Sequence, residues 1–182
     1  MGVLPSKTRR QGPAVTAERL SGLCLECGFC CNGVLFADVK LRRGDSPRQL
    51  ARLGVPLAKR GRDFKLPQPC ACLDGHRCRI YPARPERCRT FDCRLLLRLR
   101  AGELTVAAAR GVIRRARREA EAVRRCLRQM GEDREHLPLS RRYRAALRQP
   151  INLAAHDGSS GRHGRLLRAV ARLTALLKRH YL

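Results

Sequence analysis

Nine of the ten cysteines lie between Cys24 and Cys93, and eight of them form an array whose spacing constrains the fold more than any other feature. The array opens with Cys24-Leu25-Glu26-Cys27-Gly28-Phe29-Cys30-Cys31 and continues through Cys70 and Cys78. It closes with Cys88 and Cys93, after Tyr81-Pro82-Ala83-Arg84-Pro85. Soft thiolate sulfur selects zinc, copper(I) or iron-sulfur clusters, and a Cys-x2-Cys hairpin spreads two sulfurs for one tetrahedral ion. Metal would also stabilise the fold, because structural zinc contributes about 10 kcal/mol or more in small zinc domains, as much as an ordinary domain's whole stability. Aromatic residues make up only 4% of the chain and Trp is absent, so Leu, Val, Ala and the metal must organise the core.

No continuous apolar segment follows Met1, and no run reaches the ~18 apolar residues of a membrane span. The expectation is a soluble, cytosolic protein with no membrane partner. In a reducing compartment ten cysteines read as metal ligands before disulfides.

The 182 residues divide into three expected parts: a flexible arm over 1–16, a cysteine-cluster metal-binding domain over 17–100, and a basic helical region over 101–182 packing on it. The fold class is α with irregular loops, a small α+β arrangement being the variant. Alternation from Leu35 to Leu41 predicts a short strand. Ser46, Pro47, Gln49 and Gly54 predict a capped short helix. Residues 55–83 carry Pro56, Pro67, Pro69, Pro82 and Asp74-Gly75, and predict loops held by the cysteines. One helix is predicted from Pro85 to about Arg100. On it Cys88 and Cys93 could not point the same way, so they serve different ions or the helix is irregular there. The strongest periodicity joins Val106, Ala109, Ile113, Ala116, Ala120, Val123, Leu127 and Met130 into one helical stripe ended by Gly131. A final helix over Gly164 to Tyr181 repeats it through Leu166, Val170, Leu173 and Leu177. The two stripes predict an antiparallel helical layer, packed against each other or against the cysteine domain, with a small coiled-coil dimer as the weaker alternative and Ala154 to Gly164 as the connection.

Eight sulfurs fit two zinc sites of four cysteines, one four-iron cluster plus a zinc, or one polynuclear site with bridging thiolates, and spacing does not choose among them. The run Cys24-x2-Cys27-Gly28-x-Cys30-Cys31, then Cys70 with Leu73, then Cys78-x-Ile80-Tyr81-x2-Arg84-Pro85-x2-Cys88-Arg89-x-Phe91-x-Cys93 resembles the YkgJ-type CxxCxxCC family, described as a zinc- or iron-chelating domain. The resemblance spans about 70 residues and implies a metal-ligand role for Cys24, Cys27, Cys30, Cys31, Cys70, Cys78, Cys88 and Cys93. A related cluster in flagellin lysine methylases implies that some relatives are enzymes. Those are longer proteins, and their additional regions have no counterpart here. Cys72 stands where the family has an apolar residue, and reads as an extra thiol near the site.

Around the ligands, Cys72, Tyr81, Arg84 and Arg89 are candidates for contacts to the sulfurs. Arg84 is expected to pair with thiolate charge or with Asp92, and Tyr81 to pack with its hydroxyl on a sulfur or carbonyl. His76 reads as a turn residue, and His136, His156, His163 and His180 share no ligand spacing. Cys126 reads as a half-buried small hydrophobe. No phosphate loop, nucleophile elbow or zinc-protease helix is present, so no catalytic residue is assigned.

The formal charge is +25, from 40 basic and 15 acidic residues. Residues 94–182 hold 22 basic and 7 acidic side chains. Arg110, Arg114, Arg117, Arg124 and Arg128 line one flank of the long helix, a stripe able to follow a polyanion. With so few aromatics it offers no stacking platform for single strands. The leading expectation is a zinc- or iron-binding protein, with an iron-sulfur cluster as one form of the cofactor, in a structural or redox role. An iron-sulfur-dependent group-transfer enzyme, with methylation-like chemistry, is one rival. A zinc-containing nucleic-acid-binding module, or one meeting an acidic protein partner through its basic helices, is the other.

Overall fold

The structure is a computed structural model that describes residues 16–149, except 76, and 161–182. Most of the expected arm and connection, and His76 and His156, lie outside the described residues. Helix α1 (Ala17–Cys27) starts where the Arg19 amide donates to the Thr16 hydroxyl, and stops at Gly28, whose φ of 68° is left-handed. Cys24 and Cys27 therefore stand on the last turn of a helix, a correction to the expected hairpin. Leu20 and Leu23, three apart, give that helix a buried face.

Residues 55–83 are more ordered than their prolines suggest. Strands β1 (Asp38–Lys40), β2 (Ala58–Arg60) and β3 (Asp63–Pro67) form an antiparallel sheet in the order β1-β3-β2, with Val39 opposite Leu66. Gly61, at φ 59°, makes the tight turn between β2 and β3. The loop expectation fails because Pro67 occupies only the last position of β3, where a missing N–H costs the ladder little. A second pair, β4 (Leu73–Asp74) with β5 (Arg77–Cys78), brackets the Asp74-Gly75 turn. Helix α2 (Pro47–Arg52) has the expected cap, Gln49 N–H donating to Ser46 Oγ at 3.2 Å. Val39, Leu50, Val55, Leu66, Cys72 and Ile80 fill a small core under this part.

The single helix expected from Pro85 is broken into α3 (Glu86–Thr90) and α4 (Arg94–Arg100), with Phe91 extended between them. Two contacts favour the break: the Phe91 ring meets the distant Phe36 edge-on at 5.0 Å, and Asp92 pairs with Arg100 in the next helix at 2.6 Å. Helix α5 (Val106–Gln129) follows the predicted stripe, and Ala109, Ile113, Ala116, Ala120, Val123 and Leu127 are buried along it. Helix α6 (Leu139–Leu147) was not foreseen, and α7 (Arg162–His180) starts two residues before expectation. Arg165 lies beside Cys126 and Gln129, Arg172 pairs with Glu119 at 3.0 Å, and the charge of Arg115 reaches His180. Helix α7 thus runs antiparallel to α5. The larger core unites these helices with Leu20, Leu23, Phe29, Leu95, Leu96 and Leu99. Each fully buried Leu there contributes about 2 kcal/mol. Among the described residues no helix is long and apolar enough to cross a membrane.

Candidate metal centre

The cysteines arrive from six separate pieces of local structure. Cys24 and Cys27 come from the end of α1, and Cys30 and Cys31 from the turn after Gly28. Cys70 precedes β4, Cys78 belongs to β5, Cys88 stands on α3 and Cys93 caps α4. The turn is tied down by backbone bonds: Cys31 N–H donates to Gly28 O at 2.9 Å, and Cys70 N–H to Cys31 O at 2.7 Å. Gly33 holds φ 75° with its Cα hydrogens facing Pro69 and Pro138, where an added Cβ would come within 3.2 Å of each.

All eight array cysteines line one cavity of about 420 Å³ between the small sheet region and the helical layer. Cys72 and Cys126 do not line it. Cys72 is buried in the small core, near Cys70 but turned away from the cavity, and Cys126 is half-buried on the far part of α5. Among the described residues no three His, Cys, Asp or Glu side chains converge closely enough to hold one ion, so the sulfurs ring the cavity.

Electrostatics links the sulfurs. Cys24 is the exposed member of the array, and partial desolvation, then repulsion from Cys93 and Cys27, pushes its thiol up. Cys30 is pushed up by burial, Cys31, Cys27, Cys93 and Cys24. Burial, with Cys88, Cys78 and Cys27 adding to it, raises Cys31 to about 11. Burial raises Cys70 to about 12, with Cys72, Cys31 and Cys78 adding to it, and Cys88 to about 11, with Cys70 and Cys78 adding. Cys27 and Cys93 are raised mainly by burial. Cys24, Cys27, Cys30 and Cys93 act on one another, as do Cys31, Cys70, Cys78 and Cys88, and the two groups overlap, since Cys31 acts on Cys30 and Cys27 on Cys31. Positive charge from Arg84 opposes the rise at Cys24, Cys31 and Cys88. Eight soft donors around one cavity suit zinc or iron.

Arg84 and Tyr81 both line the cavity. The guanidinium lies 3.6 Å from the centre of the Tyr81 ring, and its Nε donates to Tyr81 O at 3.0 Å. Asp92, the other expected partner of Arg84, is held by Arg100. Arg89 is exposed and does not line the cavity, whereas Arg87 does. Sequence reading missed Tyr181, which reaches the cavity from the end of α7, and the Phe36 and Phe91 pair. The i, i+4 step from Leu177 was the available signal for Tyr181.

On the basic flank of α5, Arg110 pairs with Glu26 at 2.8 Å and Arg117 donates to the Glu26 carbonyl. Arg124 and Arg128 pair with Glu121 at 3.8 and 2.5 Å. Arg114 is exposed. Much of the stripe therefore neutralises the protein's own acids and fastens α5 to α1.

The fold and the cavity together define a cysteine-cluster protein in which a helical layer closes over a ring of thiols. The CxxCxxCC family, described as a "putative zinc- or iron-chelating domain", matches residues 23–126. That span is more than half of the chain, and the protein belongs to this family. No curated protein and no solved structure matches it.

Proposed function

We propose that this protein chelates zinc or iron through its eight array thiols. Cys24, Cys27, Cys30 and Cys93 form one set, and Cys31, Cys70, Cys78 and Cys88 the other. The observation that carries the reading is the shared cavity: it gathers all eight array cysteines and leaves Cys72 and Cys126 aside. A cytosolic setting, in which thiols stay reduced, belongs to the same reading. Bound zinc would supply cross-links, and bound iron, alone or as an iron-sulfur cluster, would supply one-electron redox chemistry. The chain's own part is to keep the thiols paired in space and to offset their charge with Arg84. Metal binding would require the ligating thiols to give up their protons.

Elemental analysis with a visible spectrum, on untagged protein purified without oxygen from cells given iron and zinc, tests this. About two zinc ions and no colour would assign a structural role. Stoichiometric iron with broad visible absorbance would assign a redox role. A folded, reduced protein carrying neither metal would overturn the proposal.

One observation favours the second reading, iron-sulfur-dependent group transfer. The cavity continues past the sulfurs to Phe36, Leu66, Ile80 and Phe91, with Arg84 and Arg87 at its wall, which leaves an apolar surface for a substrate. An exchangeable position on bound iron, seen as a spectral change with an added small thiol, would support it. Four closed thiolates on every ion would exclude it.

A further inference from the structure

The last turn of α7 lies far outside the span matched by the family, yet it ends inside the cysteine cavity. Tyr181 follows the last residue of α7 and is only 2% exposed. Four contacts fix it. Its N–H donates to Leu177 O at 2.8 Å, and its carbonyl accepts from Arg94 N–H at 3.2 Å. Its ring rests against Phe29 with centroids 5.6 Å apart, and its hydroxyl lies 3.8 Å from the Cys27 sulfur. Arg94 also donates through Nη1 to Lys178 O at 3.3 Å, so the first residue of α4 holds the end of α7 beside Cys93.

A buried phenol needs a polar partner, and here the Cys27 sulfur supplies it. With the thiol intact, sulfur donates and phenol oxygen accepts. A Cys27 thiolate, the form that would hold a metal, has no proton to give and would only accept. The hydroxyl then turns about its C–O bond and donates, and such charge-assisted bonds are about twice as strong as neutral ones. We propose that Tyr181 is a positioning residue of the metal centre, its hydroxyl donating a hydrogen bond to the Cys27 thiolate, so that the C-terminal helix completes a site built by the cysteine array. This inference rests on the metal-chelating reading above.

The test uses the full chain, stripped of metal, reduced and titrated with cobalt(II), whose sulfur-to-cobalt charge-transfer band reports the electron density on the thiolates. Tyr181→Phe keeps the ring on Phe29 and removes the donor. The band should move to lower energy, and cobalt affinity should fall about tenfold or more, as when a partner of a metal ligand is lost. The metal-free melting temperature serves as the control for packing. A site-specific fluorotyrosine at 181 keeps the shape with a more acidic hydroxyl, and should move the band to higher energy even if Tyr181→Phe folds poorly. An unmoved band in the fluorotyrosine protein, or an unchanged band and affinity in a folded Tyr181→Phe, would overturn the role of Tyr181. Failure of the unaltered protein to bind cobalt, zinc or iron would instead overturn the metal-chelating reading itself.

Discussion

Individual side chains in this protein carry two kinds of weight, ligation and buried charge. If the two sulfur sets are separate, Cys27→Ser and Cys88→Ser should each lose metal and lower the melting temperature of the metal-loaded protein, whereas Cys126→Ser should retain full loading. Metal content per chain after gel filtration reads this directly, and full retention in Cys88→Ser would remove it from the ligand set. Glu132 and Arg142 are 6% and 3% exposed and meet at 2.5 Å, with Arg134 also on the Glu132 carboxylate at 2.8 Å. Burial pushes the Glu132 carboxyl up, but the bonds from Arg142 and Arg134 outweigh it, and the net displacement is downward. A carboxyl held below its unfolded value adds stability that is present above about pH 4.3 and lost as pH falls through the folded value. Urea midpoints of the metal-free protein and Glu132→Gln should therefore differ at neutral pH and converge as pH falls below 4. A gap that persists unchanged in acid would exclude the ionic contribution. Glu132→Ala leaves the Arg142 charge buried alone and should cost about 3 kcal/mol or more.

Among the elements, the pairing of α5 with α7 and the turn carrying Cys30 and Cys31 bear most of the architecture. Leu166 is fully buried between those helices, and Leu166→Ala should cost about 2–5 kcal/mol by denaturant unfolding. Gly33 is a sharper case. Its left-handed φ and the close approach of Pro69 and Pro138 leave no place for a methyl group. Gly33→Ala should destabilise by about 1–3 kcal/mol and weaken metal binding with it, because the same turn sets Cys30 and Cys31. The caps of α1, α2 and α5 are local and follow from Thr16, Ser46 and Thr105. The stripe of α5 was legible because a period of 3.6 over seven turns has no other reading. The break between α3 and α4 was not, since it depends on Phe36 and Arg100, which are remote from Phe91 or lie in the next helix. The sheet was obscured in the same way: β1 and β3 are each too short to stand alone, and their pairing closes a loop that contains α2.

For the molecule as a whole, metal and fold are expected to be one equilibrium. Ligands that bind the folded chain alone raise its stability by about 2.7 kcal/mol at one hundred times the dissociation constant. The melting temperature should therefore climb with added zinc and fall on chelation, and Cys27→Ser should blunt the response. A melting curve indifferent to zinc over a wide concentration range would separate metal from folding. By itself the sequence determined the donor chemistry, the two long amphipathic helices, the cap of α2 and the positive charge, because side-chain type and helical period act over a few residues. Tertiary structure alone decided which sulfurs neighbour one another, that Arg110 and Arg117 serve Glu26, and that Tyr181 meets Cys27 across 154 positions of chain. Those relations depend on the closure of long loops around a shared cavity. No local pattern encodes that closure, since each contact is worth its entropy only when the others have formed.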